Sequence, residues 1–460
     1  MFSRSYWLNG GLSALYSLCV FNFAASIVLW YTVNSDRNYI HPILSQIIPA
    51  GHCACETAAV FECSTCLTCS HQDSILQIAE NETQVWEFEY TRDALNLGLS
   101  RRQCAASFPG LFEDVARAEA YWRAQAGLSS GELDAIPINQ GMGRAKIMQG
   151  ELYVISVRAR GEDHRRKILA ALSAMHRALV ADPDRSTRPE IEFVFSIEDK
   201  LADVAESEHP VWALARTADE EAAWLMPDFG YWAWDHLHTA IGPYDQVAEQ
   251  AARYDNIRWE DKQQQLVWRG KPSFAPKLRR ALMDATRGQP WADVQAVDWH
   301  EHDESNVLKM EDHCKYMFIA HVEGRSYSAS LKYRQACRSV IVAHQLQYIQ
   351  HHHYLLISSG PQQNYVEVAR DFSDLAERLK PLLDDPARAE AIANNSIRTF
   401  RQRYLTAAAE ACYWRVLWDE YGNIYNGSQV QPGEGRERKR GLRYESFILQ
   451  KSEDMLDFHS

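Results

Sequence analysis

One stretch of the chain, residues 311–344, constrains the fold more than any other. Two short apolar runs in it, 316–322 and 338–344, are bounded by polar residues and fit buried parallel strands. Between them, residues 324–330 hold a glycine for a sharp turn and three serines that can cap a helix or hydrogen-bond an anion. The order strand, turn, helix, strand predicts a βαβ unit. A helix start at the end of a parallel strand favours a phosphate site, although an ordinary serine cap fits the same spacing.

A second strand-to-helix corner precedes this unit. Residues 265–270 (QLVWRG) predict a strand that ends at Arg269 and Gly270, and residues 275–286 predict the helix that follows. The other cations of this corner are interpreted as a solvated face rather than as ligands: Lys271, Lys277, Arg279 and Arg280.

The remainder of the C-terminal half continues the alternation of strands and helices. Short strands are expected at 354–359 and 364–368, and residues 371–425 are expected to be nearly all helical. Such alternation predicts a doubly wound, nucleotide-binding α/β lobe.

The first half of the chain supplies a strand with carboxylates at its end. Residues 191–197 (IEFVFSI) predict a buried strand, and Glu198 and Asp199 follow at the edge where active-site groups of α/β proteins project. The same carboxylates fit the N-cap of a following helix. Aromatic residues are dense in 212–235, which fits either a plain core or a platform for a sugar or a base. A two-lobed enzyme with a cleft is expected.

Charge and motif spacing limit the partners of this 460-residue chain. Its net charge of −13, with no extended basic face, argues against a nucleic-acid partner. No metal site is expected either. The D-x-D sequence at 182–184 lies in a proline-rich turn and is interpreted as a solvated loop, and the histidine triplet at 351–353 lacks helical spacing with a carboxylate.

An uncharged apolar run at residues 11–33 is long enough to cross a bilayer and predicts a transmembrane signal anchor. Arg4 and the amino terminus make residues 1–10 positive, which favours a cytosolic N-terminus and a lumenal remainder. A cleaved signal peptide is the alternative, but no small-x-small cleavage site follows the run. The expectation is a single-pass type II membrane protein.

Residues 34–90 are expected to form a cysteine-containing stem. Five cysteines with CxC and CxxCxxC spacing lie there: Cys53, Cys55, Cys63, Cys66 and Cys69. Zinc fits this spacing, whereas an oxidising lumen favours disulfides. Because five is odd, one hypothesis is a disulfide between two chains that makes the stem dimerise. Glycosylation sequons occur at Asn81, Asn394 and Asn426, and the charged tail at 427–460 is expected to be mobile.

Residues 122–418 resemble glycosyltransferase family 90, which includes fungal capsule-associated xylosyltransferases and animal protein O-glucosyltransferases of the Rumi type. The resemblance rests on EDHCKYMFIAHVEGRSYSASLKYR, the VWRG corner, FVFSIEDK, and HPVWALARTADEEAAWLMPDFGYWAWD, in the family's order. It implies a GT-B architecture of two Rossmann-like lobes with a cleft between them. An acceptor-side lobe at 91–240 would hold the catalytic base, and 241–426 would form the UDP-sugar-binding lobe and C-terminal helices.

The resemblance also implies roles for individual residues. Asp199 matches the catalytic base, and Glu198 would be its structural neighbour. The donor-binding positions it implies are Arg269, Gly270, Gly324, Arg325, Ser326, Tyr327, Ser328, Ala329, Ser330, Lys332, Phe229, Tyr231 and Trp232. The family pattern further implies disulfides between Cys314 and Cys337 and between Cys104 and Cys412.

The implied activity is an inverting, metal-independent transfer of xylose or glucose from a UDP-sugar to a hydroxyl of a glycan or protein in the secretory pathway. No cofactor besides the donor is implied. Animal members carry a basic residue at the position of Ser330, whereas the GRSYSASLKY form is shared with fungal members. The C-terminal sequence DFHS is not an ER-retention signal, which favours the Golgi over the ER. The alternative is a lumenal sugar-binding or scaffolding protein that has the fold and no catalysis.

Overall fold

The structure is a computed structural model, and it describes the backbone of two short strands, Cys53–Cys55 and Cys66–Cys69, and residues 86–234, 241–297, 306–426 and 441–459. The chain divides into two units, Met1–Val85 and Trp86–Ser460. In the first unit the two strands pair antiparallel, with Cys53 opposite Cys69.

Several predictions concern residues that lie outside the described part of the chain. These are the N-terminal segment 1–10, the anchor 11–33, Asn81 and most of the stem. Among the helices that the structure does describe, none is both long enough and apolar enough to span a bilayer.

The described helices of the second unit, in chain order, are α1 Tyr90–Asp93, α2 Arg101–Ser107, α3 Glu113–Ala124, α4 Ser130–Ala135, α5 Glu162–Val180, α6 Tyr244–Ala252, α7 Pro276–Thr286, α8 Leu331–Gln335, α9 Leu375–Asp384, α10 Pro386–Thr399, α11 Ala407–Ile424 and α12 Tyr444–Phe447. With the two strands of the first unit counted as β1 and β2, the strands of the second are β3 Leu128–Ser129, β4 Met142–Met148, β5 Glu151–Arg158, β6 Ile191–Ser196, β7 Val211–Ala213, β8 Trp224–Leu225, β9 Gln263–Gly270, β10 Ala292–Ala296, β11 Tyr316–His321, β12 Val340–His344, β13 Val366–Val368, β14 Tyr425–Asn426, β15 Leu442–Arg443 and β16 Asp457–His459. A mixed α/β fold results, as the sequence predicts.

The first sheet is mixed and has the strand order β15-β5-β4-β6-β7-β8, with β16 also paired to β5. Strands β4 and β5 form an antiparallel hairpin whose turn residues, Gln149 and Gly150, have φ of 54° and 69°. Positive φ at both central positions is typical of the type I′ turn that suits a twisted hairpin. The almost fully buried β6 runs parallel to β7 and carries the chain to Glu198 and Asp199.

The second sheet is entirely parallel and has the order β10-β9-β11-β12-β13. Chain order therefore reverses between β9 and β11. Ligands of open α/β sheets bind outside the carboxyl ends of the strands at such a reversal, because the two connections leave in opposite directions and open a crevice. The fold thus places a candidate site at the loops that follow Gly270 and His321.

The long helix α11 packs against the first sheet. Its Tyr413 hydroxyl donates to the Leu225 carbonyl (2.9 Å), and its Tyr421 hydroxyl donates to the Glu192 carbonyl (3.1 Å). The sequence prediction places this helix among the C-terminal helices of the segment 241–426, and in the structure it packs mainly against α2, α3 and α5.

Aromatic side chains fill the core between the first sheet and α11. Trp212 stacks on Phe193 with ring centroids 3.8 Å apart, and Tyr421 meets Trp212 edge-on. Trp224 is also fully buried. For Trp212 and Trp224, the interpretation as plain core is therefore correct.

Two predicted features differ in the structure. Residues 354–359 do not form a strand; a 3-10 turn at His353–Leu355 occupies this region instead. The charged tail is not mobile throughout, because β15 and β16 both pair with β5, and Tyr444 and Phe447 of α12 are buried. The tail is mostly charged, so the few apolar residues that pack it against the sheet do not stand out in the sequence.

Candidate active site

One buried arginine joins the two loops at the reversal of strand order. Arg279 of α7 donates from Nε to the Glu323 carbonyl (3.1 Å) and from Nη1 to the Lys271 carbonyl (2.7 Å). No carboxylate pairs with it among the described residues. Burial lowers the pKa of Arg279 to about 10, so it remains a cation at neutral pH. The prediction that this side chain lies on a solvated face is wrong, because Arg279 shares the inner face of α7 with Leu282 and Thr286.

A second buried arginine lies close to the first. Arg334 of α8 donates from Nη1 to Nδ1 of His321 (3.3 Å), and within the described chain its Nε has no hydrogen-bond partner and no carboxylate pairs with it. Burial, followed by the positive charge of Arg279, lowers the pKa of Arg334 to about 9. Two buried guanidiniums without a compensating carboxylate form a site that fits a phosphate-bearing anion.

The serines of the loop differ in what they offer to a ligand. Ser326 is fully buried, and its Oγ has no hydrogen-bond partner in the part of the chain that the structure describes. The hydroxyls of Ser328 and Ser330 bond to each other (2.9 Å), and the Gly324 amide donates to the Ser326 carbonyl (3.0 Å). A buried hydroxyl without a partner is unfavourable, so Ser326 is the serine best placed to meet a ligand oxygen.

The helix that follows this loop is shorter than the sequence suggests. Helix α8 has only five residues, and Ser330 at its start makes no capping hydrogen bond through its side chain. The expectation that a helix dipole and a serine cap hold an anion is therefore not supported. The positive charge at this edge of the sheet comes from Arg279 and Arg334 instead.

The sequence assigns Lys332 to the donor, but a carboxylate neutralises it. Lys332 and Asp228 form a fully buried ion pair, with Nζ 2.7 and 2.8 Å from the two carboxylate oxygens. A Cβ on Gly230 would lie 2.7 Å from this Nζ, so only glycine permits the approach. Burial lowers the pKa of Lys332 although Asp228 opposes the shift. This lysine fastens α8 to the segment around Gly230.

Arg269, like Lys332, is neutralised by a carboxylate. Its Nη2 donates to both carboxylate oxygens of Asp293 (2.9 Å each), its Nε donates to the Asn306 carbonyl (3.0 Å), and its Nη1 donates to the Trp268 and Asp293 carbonyls. These bonds direct the guanidinium toward the neighbouring strand β10. Unlike Arg279 and Arg334, Arg269 is therefore paired with a carboxylate.

Two further predicted donor residues have other contacts. Arg325 is exposed and pairs with Asp203 of the first lobe (2.9 Å). At Gly270, a Cβ would come within 2.5 Å of the Trp268 indole, so this glycine makes room for the ring at the end of β9.

The two carboxylates after β6 have different surroundings. Glu198 Oε1 lies 3.3 Å from Nε2 of His164 and 3.6 Å from Nη2 of Arg160, both near the start of α5. Asp199 is partly buried, and no hydrogen bond or ion pair to another described residue engages its carboxylate. The 3-10 turn that follows, Leu201–Asp203, has no side-chain cap, so the N-cap interpretation is not supported.

Asp199 lies near enough to Tyr327, in the loop of the second sheet, for its charge to act on the phenol. Burial, followed by the nearby negative charges of Asp228 and Asp199, raises the pKa of the Tyr327 phenol well above its ordinary value. Tyr327 belongs to the same loop as Gly324 and Ser326. An unengaged carboxylate from one sheet and two unpaired guanidiniums from the other therefore border one loop, residues 324–330.

The aromatic residues assigned to the donor divide into two kinds. Phe229 and Tyr231 are buried, and Tyr231 packs near Tyr244 and His351. Trp232 is 38% exposed, and the Arg177 guanidinium lies 5.0 Å from its ring centroid. Only Trp232 of these three presents a face to solvent.

The histidine triplet is part of the core. His351 packs edge-on against Tyr413, and His352 packs against Phe400. Burial lowers the pKa of His351 and of His353 to about 3, so both are neutral at pH 7. The described residues contain no cluster of three or more metal-ligating side chains.

The interpretation of the D-x-D sequence as a solvated loop holds for Asp184, which is exposed, but not for Asp182. Asp182 is buried, accepts a hydrogen bond from Nη2 of Arg188 (3.1 Å), and lies 3.6 Å from Nε of Arg415. This carboxylate neutralises buried arginines of the fold.

The predicted disulfides Cys104–Cys412 and Cys314–Cys337 are both present. The first ties α2 to α11, and the second closes the βαβ unit at 311–344. Asn426 is exposed, as glycosylation requires. Asn394 is half-buried inside α10 and its sequon residue Ser396 is fully buried, a placement that does not suit glycosylation.

Sequence reasoning missed Arg279 and Arg334, which lie in cation-rich segments where charge alone does not distinguish a ligand from a solvated side chain. A usable signal is present for Arg279: it precedes Leu282 by three positions and Thr286 by seven, so it lies on the buried stripe of the helix. Arg334 carries no such signal, because every residue of α8 is buried.

Comparison with known proteins agrees with this geometry. The family model of glycosyl transferase family 90 matches residues 100–438. The chain is similar to the protein O-glucosyltransferase 1 of Rattus norvegicus, with 24% identity over 253 residues, which are 51% of this chain and 63% of the relative. It is also similar to the O-glucosyltransferase rumi homolog of Aedes aegypti (25% identity, 47% of this chain, 56% of the relative) and to the O-glucosyltransferase rumi of Drosophila pseudoobscura pseudoobscura (26% identity, 54% and 64%).

The chain thus spans less than two thirds of the length of these relatives. The family model covers far more than half of the chain, and its range includes Asp199, Arg279, Arg334 and the whole of both sheets apart from the C-terminal strands β15 and β16. The chain belongs to glycosyl transferase family 90.

Proposed function

We propose that the protein is an inverting glycosyltransferase of GT-B architecture that moves a sugar from a UDP-sugar to a hydroxyl of a glycan or protein. The observation that carries this proposal is the pair of buried, unneutralised arginines, Arg279 and Arg334, at the strand-order reversal of the parallel sheet. A site with two such cations favours a diphosphate, because each phosphate can accept charge-assisted hydrogen bonds from a guanidinium.

Asp199 acts as the general base in this proposal. Its carboxylate takes the proton of the acceptor hydroxyl while the hydroxyl oxygen attacks the anomeric carbon from the face opposite the diphosphate. The bond from that carbon to the diphosphate oxygen breaks, and the electron pair leaves with UDP. Glu198 lies beside His164 and Arg160, and we propose that it stays in a structural role.

Negative charge develops on the diphosphate as it leaves, and fixed cations stabilise that charge without reorganising. Arg279 and Arg334 supply them, and the Ser326 hydroxyl adds a hydrogen bond. We therefore propose that the transfer requires no divalent metal. Enzyme treated with a chelator is expected to keep its activity.

We propose glucose or xylose as the transferred sugar. The relatives of similar sequence are named O-glucosyltransferases, whereas the GRSYSASLKY form resembles the fungal members. We also propose a lumenal location in the secretory pathway, in the Golgi or the ER, with the segment 11–33 as a membrane anchor. Two disulfides in the folded unit favour an oxidising compartment.

The test is release of UDP from UDP-glucose, UDP-xylose and UDP-galactose by the purified full-length protein. One donor is expected to be turned over, and Asp199→Asn is expected to lower that rate by about two to four decades. The matched control is Glu198→Gln, which is expected to retain most of the activity. Equal rates in wild type and Asp199→Asn would remove Asp199 from its role. No turnover with any donor would favour the sugar-binding alternative.

A further inference from the structure

A pocket outside the proposed diphosphate site lies between helix α5 and the segment that follows Asp228. Its volume is about 180 Å³, and the residues that matter to the argument are Arg166, Lys167, Ser173, Phe229, Trp232 and Trp234. The volume falls below the roughly 300 Å³ at which sites for drug-sized ligands begin. The pocket therefore suits a single ring and not a whole nucleotide sugar.

Aromatic side chains form one wall of the pocket. Trp232 is 38% exposed, Phe229 is buried beneath it in the same segment, and Trp234 is partly buried. An exposed indole face provides flat apolar area against which the C–H face of a sugar ring can pack. This wall favours a saccharide over an extended apolar chain.

Two of the cations near the pocket are neutralised by carboxylates, and one is not. Lys167 is paired with Asp163 (2.9 Å), and Arg177, which lies over Trp232, is paired with the buried Glu410 (2.6 Å). Arg166 is exposed, and no carboxylate of another described residue pairs with it. A free guanidinium at the edge of an aromatic wall matches a carboxylate, which it can bind through two parallel hydrogen bonds.

The two elements that line the pocket also carry neighbours of the proposed active site. His164, the contact of Glu198, precedes Lys167 by one turn of α5, which is about 4.5 Å along the helix axis. Phe229 directly follows Asp228, whose charge acts on Tyr327 together with that of Asp199. These links make an acceptor sugar, which must reach Asp199, the occupant that best fits the proposed function.

We propose that this pocket binds a hexuronic acid residue of the acceptor glycan, with Trp232 against the ring and Arg166 on the carboxylate. The inference rests on the proposed function, because it makes the pocket an acceptor subsite. The resemblance to the family assigns Trp232 to the donor instead, and the two assignments predict different competition by UDP.

The experiment titrates the full-length protein, without donor, with methyl β-D-glucuronide and with methyl β-D-glucoside, and follows tryptophan fluorescence. The two probes differ in the carboxylate alone. The glucuronide is expected to bind about tenfold more tightly, as one charge-assisted hydrogen-bond pair allows. Arg166→Gln is expected to abolish this preference. Trp232→Ala is expected to lower the affinity for both glycosides. Saturating UDP is expected to leave the glucuronide affinity unchanged.

The matched control is Arg280→Gln, which removes an exposed arginine of α7 and is expected to keep the full preference. Unchanged UDP affinity in Arg166→Gln confirms that this variant is folded. Equal affinity for the two glycosides, or a preference that survives Arg166→Gln, would overturn the proposal. Competition by UDP would place the pocket in the donor site and overturn it as well. Glucuronide binding without turnover of any UDP-sugar would instead contradict the proposed function and leave the pocket assignment intact.

Discussion

Lys332 and Asp228 form a fully buried ion pair that joins helix α8 to the segment on which Phe229 and Trp232 lie, with Nζ 2.7 Å from the nearer carboxylate oxygen. Both charges are withdrawn from solvent, so each depends on the other for compensation. The loop 324–330, which directly precedes α8, is therefore positioned by a contact between two protein side chains.

Loss of one partner of this pair is expected to be severe. Lys332→Met leaves Asp228 charged and buried, and should lower the free energy of unfolding in urea by about 3–5 kcal/mol. The double variant Lys332→Met/Asp228→Asn should recover much of that loss, because no unpaired charge remains. Arg325→Ala is the control: it breaks the exposed pair with Asp203 and should cost at most about 1 kcal/mol. A Lys332→Met variant no less stable than Arg325→Ala would contradict this account.

The two buried arginines are expected to act on the diphosphate and not on the nucleoside. Arg334→Met should weaken UDP binding about tenfold to a hundredfold, the range of a charge-assisted hydrogen bond, and leave uridine binding unchanged. Titration calorimetry with UDP and with uridine measures the ratio of the two affinities in each variant. Because the variant removes a buried charge that no carboxylate compensates, its melting temperature should not fall.

The control for this prediction is Arg280→Met, which changes an exposed arginine one position beyond Arg279. It should bind UDP as the wild type does. An unchanged preference for UDP over uridine in Arg334→Met would exclude this arginine from the diphosphate site.

Much of the fold is predictable from apolar periodicity. The strands β6, β9, β11 and β12 and the helix α7 all occur where the sequence places them, within a few residues. The tail is the exception among larger features, because its few anchoring residues, such as Phe447, are spread among charges. The family pattern correctly implied both disulfides.

The site is harder to predict, because its cations are distinguished by their partners. The sequence shows that Arg269, Lys332 and Arg279 are basic, but pairing with Asp293 or Asp228 depends on contacts between segments distant in the chain. Only the folded structure reveals that Arg279 has no such partner among the described residues. The sequence predicts that two carboxylates follow β6. It does not predict that Glu198 contacts His164 while Asp199 has no partner among the described residues.

Acid should destabilise the protein through its buried histidines. The pKa of His313 is lowered to about 4, and those of His351 and His353 to about 3, in each case mainly by burial. Between about pH 6.5 and these values the unfolded chain binds more protons than the folded one, so stability must fall as pH falls. Each such histidine contributes up to about 1.4 kcal/mol per pH unit in this window.

Urea unfolding at pH 7, 6 and 5 measures this dependence. His351→Phe keeps a ring against Tyr413 and should reduce the slope of stability against pH by about one proton. Stability that stays constant from pH 7 to pH 5 would show that these histidines are not kept neutral by the fold.

The central claim is that Asp199 activates the attacking hydroxyl on the face opposite a diphosphate held by Arg279 and Arg334. The most direct test is proton NMR of the anomeric signal during turnover of whichever UDP-sugar the full-length protein accepts, with the sugar in the α-configuration in the donor. With water in place of the acceptor hydroxyl, the account predicts that the free sugar appears first as its β-anomer, and that the α-anomer arises later by mutarotation. An α-configured product at the earliest times would contradict it.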